Sequence, residues 1–197
     1  MVNIAVLVSG SGSNLQSLID HQKTHDFDGE IKLVVANKKS AYGLVRAAEN
    51  NIANYYVRND DHRLLELLKE YKIDLVVLAG YLSVISDEVL EEYENKMINI
   101  HPSLIPSFCG PGFYGHHVHD AAYARGVHYS GATVHFVSKV VDGGPIIMQE
   151  VVSVKDVKNA DEIGERVLKV EHAILPKAVE LYCDNKLEVK EGRVIIK

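Results

Sequence analysis

The chain has 197 residues, a length that fits one domain built around one hydrophobic core. Its composition, 47% hydrophobic and 24% charged, is that of an ordinary globular protein, and no apolar run approaches the roughly 20 residues of a membrane-spanning helix. The formal net charge of -6 argues against a general nucleic-acid surface, which is normally basic.

Two further features of the sequence indicate where the chain works. The apolar run at the N-terminus has no basic segment before it and no small-residue cleavage site after it, so we expect no signal peptide. Cys109 and Cys183 are far apart and lack metal-ligand spacing, as expected of free thiols in a reducing compartment. We therefore predict a cytoplasmic protein that binds neither membranes nor nucleic acid.

Short runs of Val, Ile and Leu alternate with helix-compatible stretches in the first half of the chain. The runs that are typical of buried parallel strands are 4–8, 31–36, 75–79 and 98–100. The stretches whose apolar spacing fits a helix are 15–25, 42–51 and 62–71. This alternation predicts an α/β fold with a doubly wound, mostly parallel sheet.

The pattern changes after a segment rich in glycine and proline, residues 107–115. Residues 132–137 alternate, 142–145 predict a turn, and 146–154 is again strand-like, which together predict an antiparallel hairpin that extends the sheet. Residues 159–184 predict a long closing helix, broken or kinked near Pro176. The C-terminal end adds two short apolar runs on either side of Glu191 and Gly192.

A loop of small residues, Ser9 to Asn14, joins the first strand to a helix. Free main-chain N–H groups in such a loop suit an anion. A dinucleotide is disfavoured because the third glycine of GxGxxG is missing and Asn37, which is not acidic, ends the second strand. A monophosphate fits best, since Ser13 and Asn14 add side-chain donors. The alternative is a tight turn in which Ser13 or Asn14 is only a helix N-cap.

Asn99 and His101 follow a buried-type strand, and Pro102 restricts the chain just after the histidine. Ligands gather at the carboxyl ends of the strands in open α/β sheets, and strand alternation places both side chains on one face. An amide N–H that holds an oxyanion, next to an imidazole that gives a proton, is suited to acyl transfer. A purely structural histidine is the alternative.

Five segments together resemble the phosphoribosylglycinamide formyltransferase family, in order and over essentially the whole chain. They are Gly10 to Leu15, Leu78 to Leu82, Asn99 to Pro106, Thr133 to Val137 and Asp142 to Pro145. The resemblance implies a formyltransferase fold in which residues 1–100 form a phosphate-binding, Rossmann-like half. Residues 101–197 would form the folate and catalytic half.

The resemblance also implies a catalytic role for three residues. His101 would be the general acid, Asn99 would hold the formyl oxygen, and Asp142 would orient His101 and raise its pKa. Considered alone, Asp142 before Gly143 would be an ordinary turn former. The other motifs, in order, favour the catalytic role.

The resemblance assigns the remaining site residues to two ligands. Phosphoribosylglycinamide would be bound by Gly12, Ser13 and Asn14 through its phosphate and by Glu171 through its ribose, although a solvated helix charge is equally compatible with Glu171. Folate contacts would come from Leu82, Ser83, Val84, Ile85, Asn99 and residues 140–142, or these residues pack as core and loop. The family often has an arginine where Ser83 stands. A second family arginine that faces the folate tail could correspond to Arg58.

Four further histidines could serve either the site or the fold. His116, His117 and His119 follow the extended loop 108–117, which we expect to shape the rim of the crevice. We expect no metal site there because no carboxylate or cysteine has suitable spacing. His135 either lines the site beside His101 or packs in the core.

The sequence thus predicts an enzyme that moves the formyl group of 10-formyltetrahydrofolate onto the amine of phosphoribosylglycinamide. Its expected partners are small molecules, and its expected oligomeric state is a monomer or weak homodimer. A formyltetrahydrofolate deformylase is an alternative, but that hydrolase commonly has an extra N-terminal domain and a second histidine where Pro102 stands. An initiator-tRNA formyltransferase usually adds a basic C-terminal domain, before which this acidic chain stops. A nucleotide-binding module without catalysis is the third alternative.

Overall fold

The computed structural model of the chain describes residues 1–197 and contains nine strands and six helices. In chain order the elements are β1 Val2–Val8, α1 Ser13–Thr24, β2 Gly29–Ala36, α2 Tyr42–Glu49, β3 Ala53–Tyr56, α3 Asp61–Glu70, β4 Leu75–Leu78, α4 Asp87–Glu92, β5 Met97–His101, α5 His116–Arg125, β6 Tyr129–Phe136, β7 Ile146–Ser153, α6 Ala160–Cys183, β8 Leu187–Lys190 and β9 Arg193–Ile196. None of the helices combines the length and the apolar character that crossing a membrane requires.

Seven strands form one sheet in the order β3-β2-β1-β4-β5-β6-β7. The first five are parallel, whereas β6 pairs antiparallel with β5, and β7 antiparallel with β6. The last two strands, β8 and β9, form a separate antiparallel hairpin. The predicted α/β class, with a mostly parallel sheet and an antiparallel C-terminal extension, is confirmed.

Both faces of the sheet are covered, which explains why its central strands are continuous apolar runs rather than alternating ones. On β1, Ile4, Val6 and Val8 pack on the face covered by α1 and α6, while Ala5 and Leu7 pack on the face covered by α3 and α4. Each core therefore takes every second residue of the same strand, as the two-residue repeat of a strand requires.

Three short elements and one continuous helix differ from the expectations. The sequence did not predict β3, α4 or α5, because β3 is only four residues long and α5 has just three buried residues. Of the two alternatives predicted at Pro176, a break or a kink, the break is wrong, since α6 continues through this residue. Pro176 lies on the buried side of α6 beside Leu175, so packing offsets the hydrogen bond that proline cannot donate.

The strand order decides where a site can form. Because β1, β4 and β5 are adjacent and parallel, the loops that follow them leave the sheet at one edge. The loops after β1 and β4 are joined directly, since the Leu82 N–H donates to Ser9 Oγ at 2.8 Å. The edge lies where the chain order changes direction between β1 and β4, the usual position of a ligand crevice in such sheets.

Candidate active site

Three polar side chains come together at the end of the β5–β6 pair. In the antiparallel register Asn99 lies opposite His135, and His101 lies opposite Thr133. Asn99 Nδ2 is 3.1 Å from His135 Nε2, so the ring accepts a hydrogen bond from the amide. His101 and His135 are both buried. The predicted pairing of Asn99 and His101 on one face therefore gains His135 from the neighbouring strand.

Asp142 reaches this group from the turn between β6 and β7. Its backbone has φ 54°, a left-handed conformation that aspartate tolerates better than most residues. Gly144 makes the turn possible, since a Cβ there would lie 1.8 Å from the carbonyl oxygen of Phe136. The turn thus needs a glycine to bring the carboxylate back against the sheet.

The Asp142 carboxylate lies between the two imidazoles. Oδ2 is 3.6 Å from His101 Nδ1 and Oδ1 is 3.7 Å from His135 Nε2. The Gly110 N–H donates to Oδ2 at 2.8 Å. Burial, the largest single influence, raises the pKa of Asp142, but His135, the Gly110 amide and His101 together lower that pKa below its ordinary value. Asp142 is therefore held as a carboxylate.

The pKa of His101 is lowered overall, although Asp142 acts to raise it, as the resemblance implies. Burial lowers this pKa most, and it outweighs the opposing effects of the Phe108 carbonyl and Asp142. The Nε2 atom is 2.9 Å from the Phe108 carbonyl oxygen, so Nε2–H donates there and Nδ1 faces the carboxylate. Any proton that His101 takes up is thus readily given back, which suits a general acid.

The small-residue loop after β1 has the geometry of an anion site. Gly12 is the N-cap of α1, with φ 69°, and no side chain caps the helix. A Cβ on Gly12 would lie 2.7 Å from the Gly43 Cα, so α2 packs directly on the loop. The alternative in which Ser13 or Asn14 serves as the N-cap is wrong, because both lie inside the helix.

Glu171 lies next to this loop and away from solvent. Asn14 Nδ2 donates to Glu171 Oε2 at 2.7 Å, which links α1 to α6. The Glu171 side chain is buried, and burial raises its pKa although the bond from Asn14 acts in the opposite sense. A solvated helix charge is therefore excluded for Glu171, and the structure brings it together with Asn14 as the resemblance implies.

The residues expected to contact folate are arranged unequally. Leu82 and Val84 are exposed, 49% and 85%, and Val140 and Val141 are exposed near Asp142. Lys139, next to Val140, donates to Glu91 at 2.7 Å and so links the β6–β7 turn to α4, the helix that follows residues 82–85. Leu82, Val84, Val140 and Val141 thus offer apolar surface to solvent, which suits a flat aromatic ligand.

The other expected folate residues do not contribute to that surface. Ile85 is buried in the core under α3 and α4. Ser83 Oγ accepts a 2.6 Å hydrogen bond from Asn37 Nδ2. Arg58 is exposed beyond β3, the edge strand of the sheet, and the structure gives it no ion pair.

One histidine of the extended segment, His116, has two carboxylate neighbours. His116 Nδ1 is 3.0 Å from Asp120 and Nε2 is 2.8 Å from Asp161, which together raise its pKa. These contacts tie α5 to α6. No group of three or more His, Cys, Asp or Glu side chains is arranged to hold a metal ion.

Sequence reasoning left out two groups of this site, the Phe108 carbonyl and the Gly110 N–H, and it left two alternatives open for His135. His135 could have been assigned from strand alternation once β6 was paired with β5. The contacts of Phe108 and Gly110 are made by main-chain atoms, which leave no signal in the sequence. A buried acid, an amide donor and a carboxylate next to an anion loop are together suited to acyl transfer onto a phosphorylated amine.

Comparison with known proteins agrees with this chemistry. Residues 2–179 match the formyl transferase family. The phosphoribosylglycinamide formyltransferase of Escherichia coli (strain K12) is 38% identical over 199 residues, covering 97% of this chain and 92% of that protein. The crystal structure of glycinamide ribonucleotide transformylase 1 from Symbiobacterium toebii superposes with a TM-score of 0.93 at 36% identity, covering 100% of this chain and 94% of that chain.

A hydrolase shares the fold. A formyltetrahydrofolate deformylase from Pseudomonas syringae pv. tomato superposes with a TM-score of 0.89 at 26% identity, and the match covers 99% of this chain but 65% of that one. The similarity to the two transferases is higher and extends over nearly the whole of both.

Proposed function

This chain belongs to the formyl transferase family, and we propose that it transfers the formyl group of 10-formyltetrahydrofolate to the amine of 5′-phosphoribosylglycinamide, a step of purine synthesis. The observation that carries the proposal is the cluster of Asn99, His101 and Asp142 at the sheet edge that also holds the Gly12 loop and Glu171. This edge combines groups for acyl transfer with groups for a phosphorylated sugar.

In the first step the substrate amine attacks the formyl carbon, and negative charge develops on the formyl oxygen. Asn99 and His101 are the donors proposed for this oxygen. The amide nitrogen of Asn99 carries two hydrogens, and the one acceptor recorded for it is His135 Nε2, so the second remains for the substrate. Donors held in place before the reaction stabilise such charge without reorganisation.

In the second step the tetrahedral carbon releases the folate nitrogen. The attacking nitrogen loses one proton and the leaving nitrogen gains one, so the overall reaction is balanced without a metal or a covalent enzyme intermediate. Protonated His101 is the proposed donor, and the Asp142 carboxylate stabilises its imidazolium form across 3.6 Å. Without substrate, His101 Nε2–H donates to the Phe108 carbonyl at 2.9 Å, and in the proposed complex the substrate replaces this carbonyl as the acceptor of Nε2–H.

The proposed binding sites follow the same edge. The phosphate is bound by main-chain N–H groups of Gly12, Ser13 and Asn14 at the start of α1, where the helix dipole favours an anion. Glu171 accepts hydrogen bonds from the ribose. The aromatic part of folate covers the exposed side chains of Leu82 and Val84. Ser83, Ile85 and Arg58 are given no direct side-chain contact in this proposal.

The proposal extends to the state of the protein in the cell. A cytoplasmic location is supported by Cys109 and Cys183, which are both free thiols, as is usual in reducing compartments. A monomer or weak homodimer is supported by the fact that one chain supplies every group of the proposed site. Light scattering across a concentration series measures that state.

The decisive experiment follows absorbance as purified protein meets 10-formyltetrahydrofolate, with and without phosphoribosylglycinamide. We expect tetrahydrofolate to be released only when the amine is present. Equal release without the amine would establish the deformylase alternative, which the shared fold makes the main competitor. No release in either case would indicate a binding module without catalysis.

A further inference from the structure

Arg46 on α2 lies against the loop that follows β1. Its Nε–H donates to the Ser11 carbonyl at 2.8 Å and its Nη1 donates to Gln16 Oε1 at 3.1 Å. The guanidinium carbon is 5.1 Å from the centre of the Tyr42 ring. No carboxylate forms an ion pair with Arg46, and Nη2 has no recorded partner.

This position is electrostatically unfavourable for an isolated cation. The N-terminus of α1 carries the positive end of the helix dipole, and a positive charge in the first turn is normally destabilising. The N-terminus of α2 adds a second dipole, because Gly43 on its first turn packs against Gly12 and its N–H donates to the Gly10 carbonyl at 3.2 Å. Two helix dipoles and a guanidinium therefore add their positive potential at one place.

The acidic residues nearby do not neutralise Arg46. Glu171 is bonded to Asn14, and burial raises its pKa, while Asp20 accepts a hydrogen bond from the far side of Gln16. His172 on α6 lies close enough for Arg46 to lower its pKa, after burial as the larger cause. The His172 Nε2 atom is buried and has no hydrogen-bond partner. An unneutralised guanidinium thus lies near a second polar group that lacks a partner.

We propose that Arg46 binds the phosphate of the substrate, together with the main-chain N–H groups of residues 12–14. This inference rests on the proposed function, because it assumes that the ligand of the loop is a phosphate monoester. A dianion between Nη2 and the α1 N-terminus removes the repulsion described above. A charge-assisted hydrogen bond of guanidinium to phosphate oxygen is stronger than a neutral one. Arg46 then selects a phosphorylated substrate and takes no part in the chemical step.

The test compares Arg46→Gln and Arg46→Lys with Arg63→Gln, which removes an exposed arginine paired with Glu66 on α3. We expect Arg46→Gln to raise KM for phosphoribosylglycinamide about 10 to 100-fold with kcat within about twofold of wild type. Arg46→Lys should lie between wild type and Arg46→Gln, because it keeps the charge but loses the bond to Ser11. Arg63→Gln should match wild type.

A second measurement separates this inference from the reaction itself. The melting temperature of each variant is measured in inorganic phosphate and, for comparison, in sodium chloride of the same ionic strength. Phosphate should stabilise wild type and Arg63→Gln but not Arg46→Gln, even if wild type transfers no formyl group. Equal stabilisation of wild type and Arg46→Gln by phosphate would overturn the proposal. An Arg46→Lys variant with a KM as high as that of Arg46→Gln would also overturn it. That result would mean that Arg46 only holds the Ser11 carbonyl in place.

Discussion

Asn99 and His135 face each other across the antiparallel β5–β6 pair, with Asn99 Nδ2 3.1 Å from His135 Nε2. The other ring nitrogen, Nδ1, is 2.8 Å from the Phe136 carbonyl oxygen, which can only accept a hydrogen bond. The neutral ring therefore carries its proton on Nδ1 and presents Nε2 as an acceptor to Asn99, whereas only a ring protonated on Nε2 can lower the pKa of Asp142. This arrangement holds the amide nitrogen of Asn99, rather than its oxygen, toward His135 and so determines which way the amide points.

Replacing His135 by phenylalanine tests this orientation. The variant keeps an aromatic ring on β6 but removes the acceptor, so the Asn99 amide loses its fixed direction and the oxyanion loses an aligned donor. We expect kcat to fall about tenfold or more, with KM for the amine substrate little changed. Steady-state kinetics and a melting curve of the same preparation check the result. An unchanged kcat in a folded variant would mean that the amide is oriented without the ring.

The His101→Ala variant tests the acid itself. Loss of a group that stabilises an oxyanion typically reduces turnover about 100 to 1000-fold, and His101 also supplies the proposed proton. The bond to the Phe108 carbonyl is lost too, so we expect a small fall in melting temperature without unfolding. Tetrahydrofolate release measures turnover. Near-normal turnover in this variant would refute the assignment of His101.

The Asp142→Asn variant tests the electrostatic coupling through its pH dependence. The Asp142 carboxylate raises the pKa of His101, although burial lowers that pKa more. With the charge removed, burial is less opposed and the pKa of His101 falls further. Since the acid acts in its protonated form, kcat/KM at neutral pH should drop and partly recover as the pH is lowered.

The Asn side chain can still accept from the Gly110 N–H, so the turn is expected to keep its shape in this variant. A pH profile parallel to that of wild type, merely lower at every pH, would argue against coupling between Asp142 and His101.

The sequence predicted the parts of the fold that depend on long apolar patterns. The buried strands and the long closing helix are both confirmed. The strands were recognisable because a sheet that is covered on both faces has continuous apolar runs in its strands. The four-residue edge strand β3 and the helix α5 were not predicted, since few of their side chains are buried. The break predicted as one alternative at Pro176 does not occur, because burial of that face of α6 overrides the local propensity of proline.

The groups of the candidate site that belong to side chains were predictable from the sequence, whereas its main-chain groups were not. Motif order brought Asn99, His101 and Asp142 together in the prediction, and in the structure Asp142 lies 3.6 Å from His101. The sign of the pKa shift of His101 was not predictable, because it depends on how deeply the folded chain buries the ring. A carboxylate neighbour can be recognised in a motif, whereas burial is a property of the whole fold.

Gly12→Ala tests the geometry of the anion loop against a matched control. Alanine at this position must adopt φ 69° and would place its Cβ 2.7 Å from the Gly43 Cα. The left-handed conformation alone costs roughly 1–2 kcal/mol of unfolding free energy, and the contact adds to it. Gly10→Ala is the control, because its Cβ meets nothing within 4 Å. Chemical denaturation should show a clear loss for Gly12→Ala and a change within about 0.5 kcal/mol for Gly10→Ala.

Glu171→Gln should separate stability from substrate binding. Burial raises the pKa of Glu171 in the folded protein, so its contribution to stability is fully present below its ordinary pKa of 4.5 and is lost as pH rises through the folded-state pKa. Glutamine stays neutral at every pH and can still accept the hydrogen bond from Asn14. We therefore expect the variant to unfold at higher denaturant than wild type at pH 7, and the difference to shrink as the pH falls toward 4.5.

The same substitution should weaken the enzyme. A neutral amide accepts hydrogen bonds from ribose hydroxyls less strongly than a carboxylate, so KM for phosphoribosylglycinamide should rise about tenfold while KM for 10-formyltetrahydrofolate stays unchanged. Parallel denaturation curves at several pH values and steady-state kinetics with each substrate varied measure the two effects. A variant that is less stable than wild type at pH 7 would show that the buried carboxylate is stabilised by its surroundings. Its charge would then be part of the folded structure itself.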